Sequence, residues 1–176
     1  MSRRGKIRAR YRKVNLWLSE RKYISPGNEI AVFNTPWGKM GLIICWDLIF
    51  PEIFRKMVQR GVRIVCCPSY WLKGKGGLVE PINPAAEEEL VDALCSARAF
   101  ENEIVLVYCN AAGEFSTPGF IDELIGHSQV VVPLQGVVKK LSHNNEEMIV
   151  TEIDLQNVVL AEKVYRLRQD LKQRPW

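Results

Sequence analysis

Apolar residues along this chain come in short, near-continuous runs separated by stretches whose apolar positions recur at helical spacing. Such alternation predicts buried strands interleaved with amphipathic helices, a layered α/β fold. Ile30 to Asn34 and Met40 to Cys45 flank Thr35-Pro36-Trp37-Gly38 and predict a hairpin around a Pro/Gly turn. Gly41-Leu42-Ile43-Ile44 is apolar throughout, which predicts a strand covered on both faces. Pro51 suits the first turn of a helix running to Gln59, with Ile53, Phe54, Met57 and Val58 on its buried side and Gly61 to end it. Val62 to Cys67 and Ile104 to Cys109 predict further buried strands, with a long helix from Pro84 to Asn102 between them. The apolar stripe of that helix reads as Leu90, Ala93, Leu94, Ala97 and Phe100. Residues 69 to 83, which include Lys73-Gly74-Lys75-Gly76-Gly77, read as a loop near the active face. Later strands are expected at His127 to Val132, Val137 to Leu141 and Met148 to Ile153, then a helix from Leu155 to Lys163 and a polar tail over 164–176. Gly5 to Asn15 reads as an edge strand feeding a loop, so the chain opens in the middle of a sheet with nothing to cover its first edge.

Composition narrows the class without naming a chemistry. Hydrophobic residues make up 47% and charged residues 25%, ordinary values for a soluble globular chain of 176 residues, read here as a single domain. The net charge of +4 is uneven. Residues 1–13 hold Arg3, Arg4, Lys6, Arg8, Arg10, Arg12 and Lys13 with no acid among them, and Arg166, Arg168, Lys172 and Arg174 cluster near the other end. A basic arm can attract nucleic acid or an anionic membrane. Without interleaved aromatic residues or a nucleic-acid motif it reads as a solvated edge, so neither partner is expected. The sequence contains no apolar stretch of transmembrane length and no secretory pattern, which makes the cytoplasm the default location. Cys45, Cys66, Cys67, Cys95 and Cys109 are odd in number and irregular in spacing, which suits reduced thiols rather than a disulfide framework. With no CxxC pair and no ligand spacing around His127 or His143, neither zinc nor any other cofactor is predicted.

The chemistry centres on Cys45. It ends an apolar strand and leads at once into Trp46-Asp47-Leu48-Ile49-Phe50-Pro51, so a strand-to-helix turn would lift the thiol above the sheet, where backbone N–H groups can stabilise an oxyanion. A cysteine behind an apolar strand is equally at home in a core. The surrounding string separates the two readings. Gly38-Lys39-Met40-Gly41-Leu42-Ile43-Ile44-Cys45-Trp46-Asp47, followed by Phe50-Pro51-Glu52 and Arg55, resembles the nucleophile segment of the nitrilase superfamily. Tyr11-Arg12-Lys13-Val14-Asn15-Leu16, with Glu20 and Pro26-Gly27, resembles the segment bearing that family's catalytic lysine. Pro68-Ser69-Tyr70-Trp71, Arg98-Ala99-Phe100-Glu101-Asn102, Asn110, Gly126-His127-Ser128, Pro133, Gly136 and Asp154 follow in the family's order.

The resemblance implies carbon–nitrogen hydrolysis by a cysteine nucleophile on a layered α-β-β-α sandwich. The thiolate attacks an amide or nitrile carbon, ammonia or an amine leaves, and water hydrolyses the thioester. By the same resemblance Cys45 is the nucleophile, Lys13 stabilises the tetrahedral intermediate and Glu20 supports the site through hydrogen bonds. Read alone, Lys13 is one more cation of the arm, and Glu20 a surface acid paired with Arg21 or Lys22. Trp46 offers an oxyanion N–H, while Tyr70 and Trp71 line the pocket or belong to a core or interface. Asp47, Glu52, Arg55, Arg98 and Glu101 read as buried charge pairs fixing the cysteine turn, with Asn102 and Asn110 satisfying backbone groups. Cys45-Trp46-Asp47 is closer to amidase-type branches than to the Cys-Trp-Glu string of true nitrilases.

The family's proton-accepting glutamate belongs to a segment before the lysine motif, and neither Glu20, Glu29 nor Glu52 sits in a matching context. The sandwich is therefore expected to be incomplete on its N-terminal side. Expected partners are a small amide or nitrile substrate and either further copies of the chain or a complementing N-terminal half. A Cys–His mechanism has no support in the sequence beyond the presence of His127 and His143.

Overall fold

The computed structural model describes residues 5–74, 82–117 and 120–173. Lys75, Gly76 and Gly77 of the predicted loop, and Arg174 of the tail, lie outside the described residues. One mixed six-stranded sheet forms the frame. It comprises β1 (Ala31–Thr35), β2 (Gly38–Leu42), β3 (Val62–Ser69), β4 (Val105–Asn110), β7 (Gln129–Val132) and β8 (Gly136–Lys140), in the order β1-β2-β3-β4-β7-β8. β2, β3 and β4 run parallel, and their neighbours on either side run antiparallel. A separate hairpin, β5 (Glu114–Thr117) and β6 (Phe120–Glu123), falls where no element was expected. The fold is α/β, as read from the sequence.

Helices cover one face. α1 (Pro51–Gln59) begins with Pro51 in its first turn and buries Ile53, Phe54, Met57 and Val58, the side expected from their spacing. Each such side chain contributes roughly 1.5–3 kcal/mol relative to exposure. Together with Val91, Cys95 and Ala99 of α2 (Ala86–Asn102), they meet Ile43, Val65, Cys67, Leu106, Tyr108 and Val131 in one cluster. The stripe expected on α2 was misplaced. Leu90 and Phe100 are exposed, and the buried line is Val91, Cys95, Arg98, Ala99 and Asn102. Two polar members of that line, Arg98 and Asn102, hide it from a hydrophobicity reading.

The opposite face is only partly covered. Val158 of α3 (Gln156–Tyr165) packs on Ile64, Val105, Val130 and Val132, leaving Met40, Val107 and Val138 half-buried. β2 is thus not covered on both faces, since Leu42 is half-buried although Gly41 is buried. Cys109 is exposed although it ends a run expected to be a buried strand, whereas Cys67 and Cys95 are buried. Met148 to Ile153 forms no strand, with Met148 and Val150 pointing into solvent. The tail is ordered further than expected, as α4 (Leu167–Gln173). Arg168 anchors it by donating to the carbonyls of Val62, Asn102 and Glu103. Glu103, fully buried in a left-handed conformation after α2, accepts from the Leu167 N–H and lies 3.6 Å from the Arg168 guanidinium. No helix among the described residues is long and apolar enough to cross a membrane.

Gly5 to Asn15 is not an edge strand. These residues run irregularly, and the sheet edge is β1 instead. The physical reason is a competing set of hydrogen bonds, which belongs to the site.

Candidate active site

Parallel strands β2, β3 and β4 all end on the same side of the sheet, and the side chains that follow them converge there. The chain leaves β2 through Ile43 and Ile44 and enters a 3-10 turn, Cys45–Ile49, before α1. Cys45 itself has φ of +49°, the left-handed region that non-glycine residues avoid. A left-handed cysteine at the strand-to-helix turn carries backbone strain of the kind found at functional sites. Two groups hold this turn from opposite sides. From α2, Arg98 donates its Nε to the Leu48 carbonyl (3.0 Å), one terminal nitrogen to the Ile49 carbonyl (2.7 Å) and the other to Glu101 (2.9 Å). From within the turn, the fully buried Asp47 accepts from the Ile44 N–H at 3.0 Å.

Asp47 also explains the irregular arm. Its carboxylate takes the Tyr11 hydroxyl at 2.7 Å, the Asn15 backbone N–H at 2.8 Å and the Asn15 side-chain amide at 3.0 Å. The arm is pinned by side chains rather than by a ladder, and Lys13 lies between the two pinned residues. Lys13 is buried, and its ammonium meets Glu20 at 2.6 Å. Glu20 also accepts the Trp17 N–H at 2.7 Å, so its partners are Lys13 and Trp17 rather than Arg21 or Lys22. Gly27 closes the back of the arm: its N–H donates to the Lys13 carbonyl, and a Cβ there would collide with the Arg12 carbonyl oxygen.

Burial pushes the Cys45 thiol above its ordinary pKa. The Lys13 charge and the backbone of Tyr70 and Trp46 pull it back down, while Glu20 pushes it up. The balance leaves a protonated thiol that needs a base before it can attack. The Cys45 Sγ lies 3.8 Å from the Tyr70 carbonyl. The Trp46 ring packs between Trp17 (centroids 4.2 Å apart) and Trp71 (5.5 Å). Trp71 is buried, donating its indole N–H to Glu87, whereas the Tyr70 side chain is exposed. Asn110 satisfies both backbone groups of Trp71. Of the expected charge pairs, Arg98 and Arg55 both reach Glu101, Asp47 pairs with uncharged donors, and Glu52 is exposed. His127 faces Asp92 and His143 faces Glu147. Sequence reasoning missed Trp17 and Glu87, which carry no recognisable spacing, and the hydrogen bonds of Tyr11 and Asn15.

Residues 1–163 match the carbon–nitrogen hydrolase family. The chain belongs to that family. It is 33% identical over 161 residues to a probable nitrilase of Schizosaccharomyces pombe, covering 92% of this chain and 53% of that protein. A carbon–nitrogen hydrolase from Helicobacter pylori superposes with a TM-score of 0.78 at 25% identity, over 91% of this chain and 57% of the other. An amidase from Nesterenkonia, with a covalent acetamide adduct on its active-site cysteine, superposes with a TM-score of 0.60 at 28% identity, over 76% of this chain and 46% of the other. This carbon–nitrogen hydrolase chain therefore spans about half the length of the relatives it matches.

Proposed function

We propose that this chain carries the nucleophile and lysine portion of an amide-cleaving enzyme, with amides favoured over nitriles. Cys45 attacks the amide carbon, Lys13 stabilises the oxyanion together with the Trp46 N–H, and Glu20 holds the Lys13 ammonium in place. Tyr70, Trp46 and Trp71 border the substrate. Loss of ammonia or an amine leaves a thioester, which water hydrolyses. The observation that carries this reading is Cys45 in its left-handed turn, within electrostatic reach of a buried Lys13 that is paired with Glu20. Support also comes from the Nesterenkonia amidase, a variant of which carries the acetamide moiety of fluoroacetamide covalently on its active-site cysteine, a reactive thiol in the matching fold.

Lys13 and Glu20 are committed to each other, and Glu20 also to Trp17, so neither of these side chains serves as the proton acceptor for Cys45. In this reading a glutamate from outside these residues supplies that step, and the chain alone turns over slowly. A second reading, a non-catalytic subunit that docks on a complementary or full-length partner, is favoured by the half-covered sheet face of Met40, Val107 and Val138. Ammonia release from a panel of amides and nitriles, compared between the chain and Cys45→Ala, tests the proposal. Turnover that is weak, lost in Cys45→Ala and increased by an added N-terminal half supports it. Folded protein with no Cys45-dependent turnover, with or without that half, favours the subunit reading.

A further inference from the structure

We propose that Asp47 is a positioning residue that sets Lys13 against Cys45, by tying the lysine arm and the nucleophile turn to a single buried carboxylate. The inference rests on the active-site reading above and concerns how its two charged partners are kept in register. Asp47 hydrogen-bonds neither the thiol nor the ammonium. It instead accepts four hydrogen bonds, one from Ile44 in the turn and three from Tyr11 and Asn15 on the arm. An ionised carboxylate has lone pairs for all four, which no neutral side chain of that size provides. Lys13 is two residues from each of the arm's anchor points, and Ile44 immediately precedes Cys45. One group thus fixes the relative placement of two segments about thirty residues apart in sequence.

No ladder does this work, since the arm has no strand partner among the described residues. Tyr11 is a dependable donor: burial and the neighbouring Asp47 push its hydroxyl well above the ordinary tyrosine range. The same hydroxyl accepts the Val14 N–H at 3.3 Å, which folds the backbone around Lys13.

The test is the pH profile of Cys45 alkylation by iodoacetamide, between about pH 6 and 10, read by mass spectrometry on the Cys45 peptide so that the exposed Cys109 does not contribute. Four proteins form a cycle: the parent, Lys13→Ala, the Tyr11→Phe/Asn15→Ala pair, and the triple variant. The pair leaves Asp47 and its bond to Ile44 untouched. Loss of the Lys13 charge raises the thiol pKa, so alkylation near neutral pH slows by about tenfold for each unit of rise. The expected result is that Lys13→Ala and the pair each slow alkylation by about fivefold to tenfold, with the profile moved to higher pH. Lys13→Ala should then slow the pair clearly less than it slows the parent, since of the arm's three bonds to Asp47 only the one from the Asn15 backbone N–H remains. If it slows the pair as much as it slows the parent, Lys13 is held independently and the proposal is overturned. If Lys13→Ala leaves the parent unchanged, the active-site reading itself fails and the coupling with it. Should circular dichroism show the pair unfolded, the same cycle is run with Tyr11→Phe alone, which leaves the two Asn15 bonds, so a partial shortfall in the Lys13→Ala effect is expected and full additivity overturns the proposal.

Discussion

Replacing Arg98 with methionine should loosen the turn that holds Cys45. The methionine retains much of the apolar stem but removes donors to the Leu48 and Ile49 carbonyls and to Glu101. Leu48 is fully buried, so its carbonyl is left without a partner, at about 1–3 kcal/mol. The Ile49 bond is charge-assisted and adds roughly 1.5–3 kcal/mol, and the guanidinium over the Phe54 ring at 5.7 Å a further ~0.5 kcal/mol. Glu101 loses less, because it is partly exposed and keeps Arg55. The sum is a loss of about 3–6.5 kcal/mol, a large share of the stability of an ordinary domain. Arg98→Lys keeps the charge but cannot serve both carbonyls with one fork, so its loss should be about half as large. Equilibrium urea unfolding of the three proteins, followed by tryptophan fluorescence, measures both values. A loss under about 1 kcal/mol for Arg98→Met would show that the turn does not depend on this guanidinium.

The buried Glu103 carboxyl gives a pH prediction. Burial, and then the neighbouring Glu162, push its pKa from the ordinary 4.5 to about 7. The folded state therefore holds the proton more tightly than the unfolded chain across that window. Stability should fall as pH rises from about 4.5 to 7, by up to about 3 kcal/mol, and Glu103→Gln should flatten the slope. Equal urea midpoints for the parent at the two ends of the window would sink the prediction. At the back of the arm, Gly27→Ala should drive a methyl into the Arg12 carbonyl, costing about 1–3 kcal/mol and slowing Cys45 alkylation by displacing Lys13. An unchanged melting temperature together with an unchanged alkylation rate would contradict it.

Much of the sheet was legible because β3 and β4 are short apolar runs bounded by Pro, Gly or Asn, and α1 follows its apolar spacing closely. α2 was legible as an element but not as a face, since Arg98 and Asn102 are buried for their hydrogen bonds to backbone carbonyls. Gly5 to Asn15 has strand-like composition, but the Asp47 carboxylate offers its groups better partners than an edge would. Met148 to Ile153 alternates as a strand should, yet no neighbouring strand pairs with it, and alternation records only the capacity to pair. Cys45 stood out by its place at the strand-to-helix turn and by motif resemblance, Lys13 and Glu20 by resemblance alone. The placement of Lys13 depends on a carboxylate and a glycine whose roles leave no periodic trace.

The left-handed φ of Cys45 makes that residue a stability liability wherever it serves. Glycine would occupy that backbone position with less strain, by an amount on the order of 1–3 kcal/mol. Part of that gain is offset by glycine's extra freedom in the unfolded chain, roughly 0.5–1 kcal/mol. The thiol is thus held where the backbone itself would sooner carry no side chain at all.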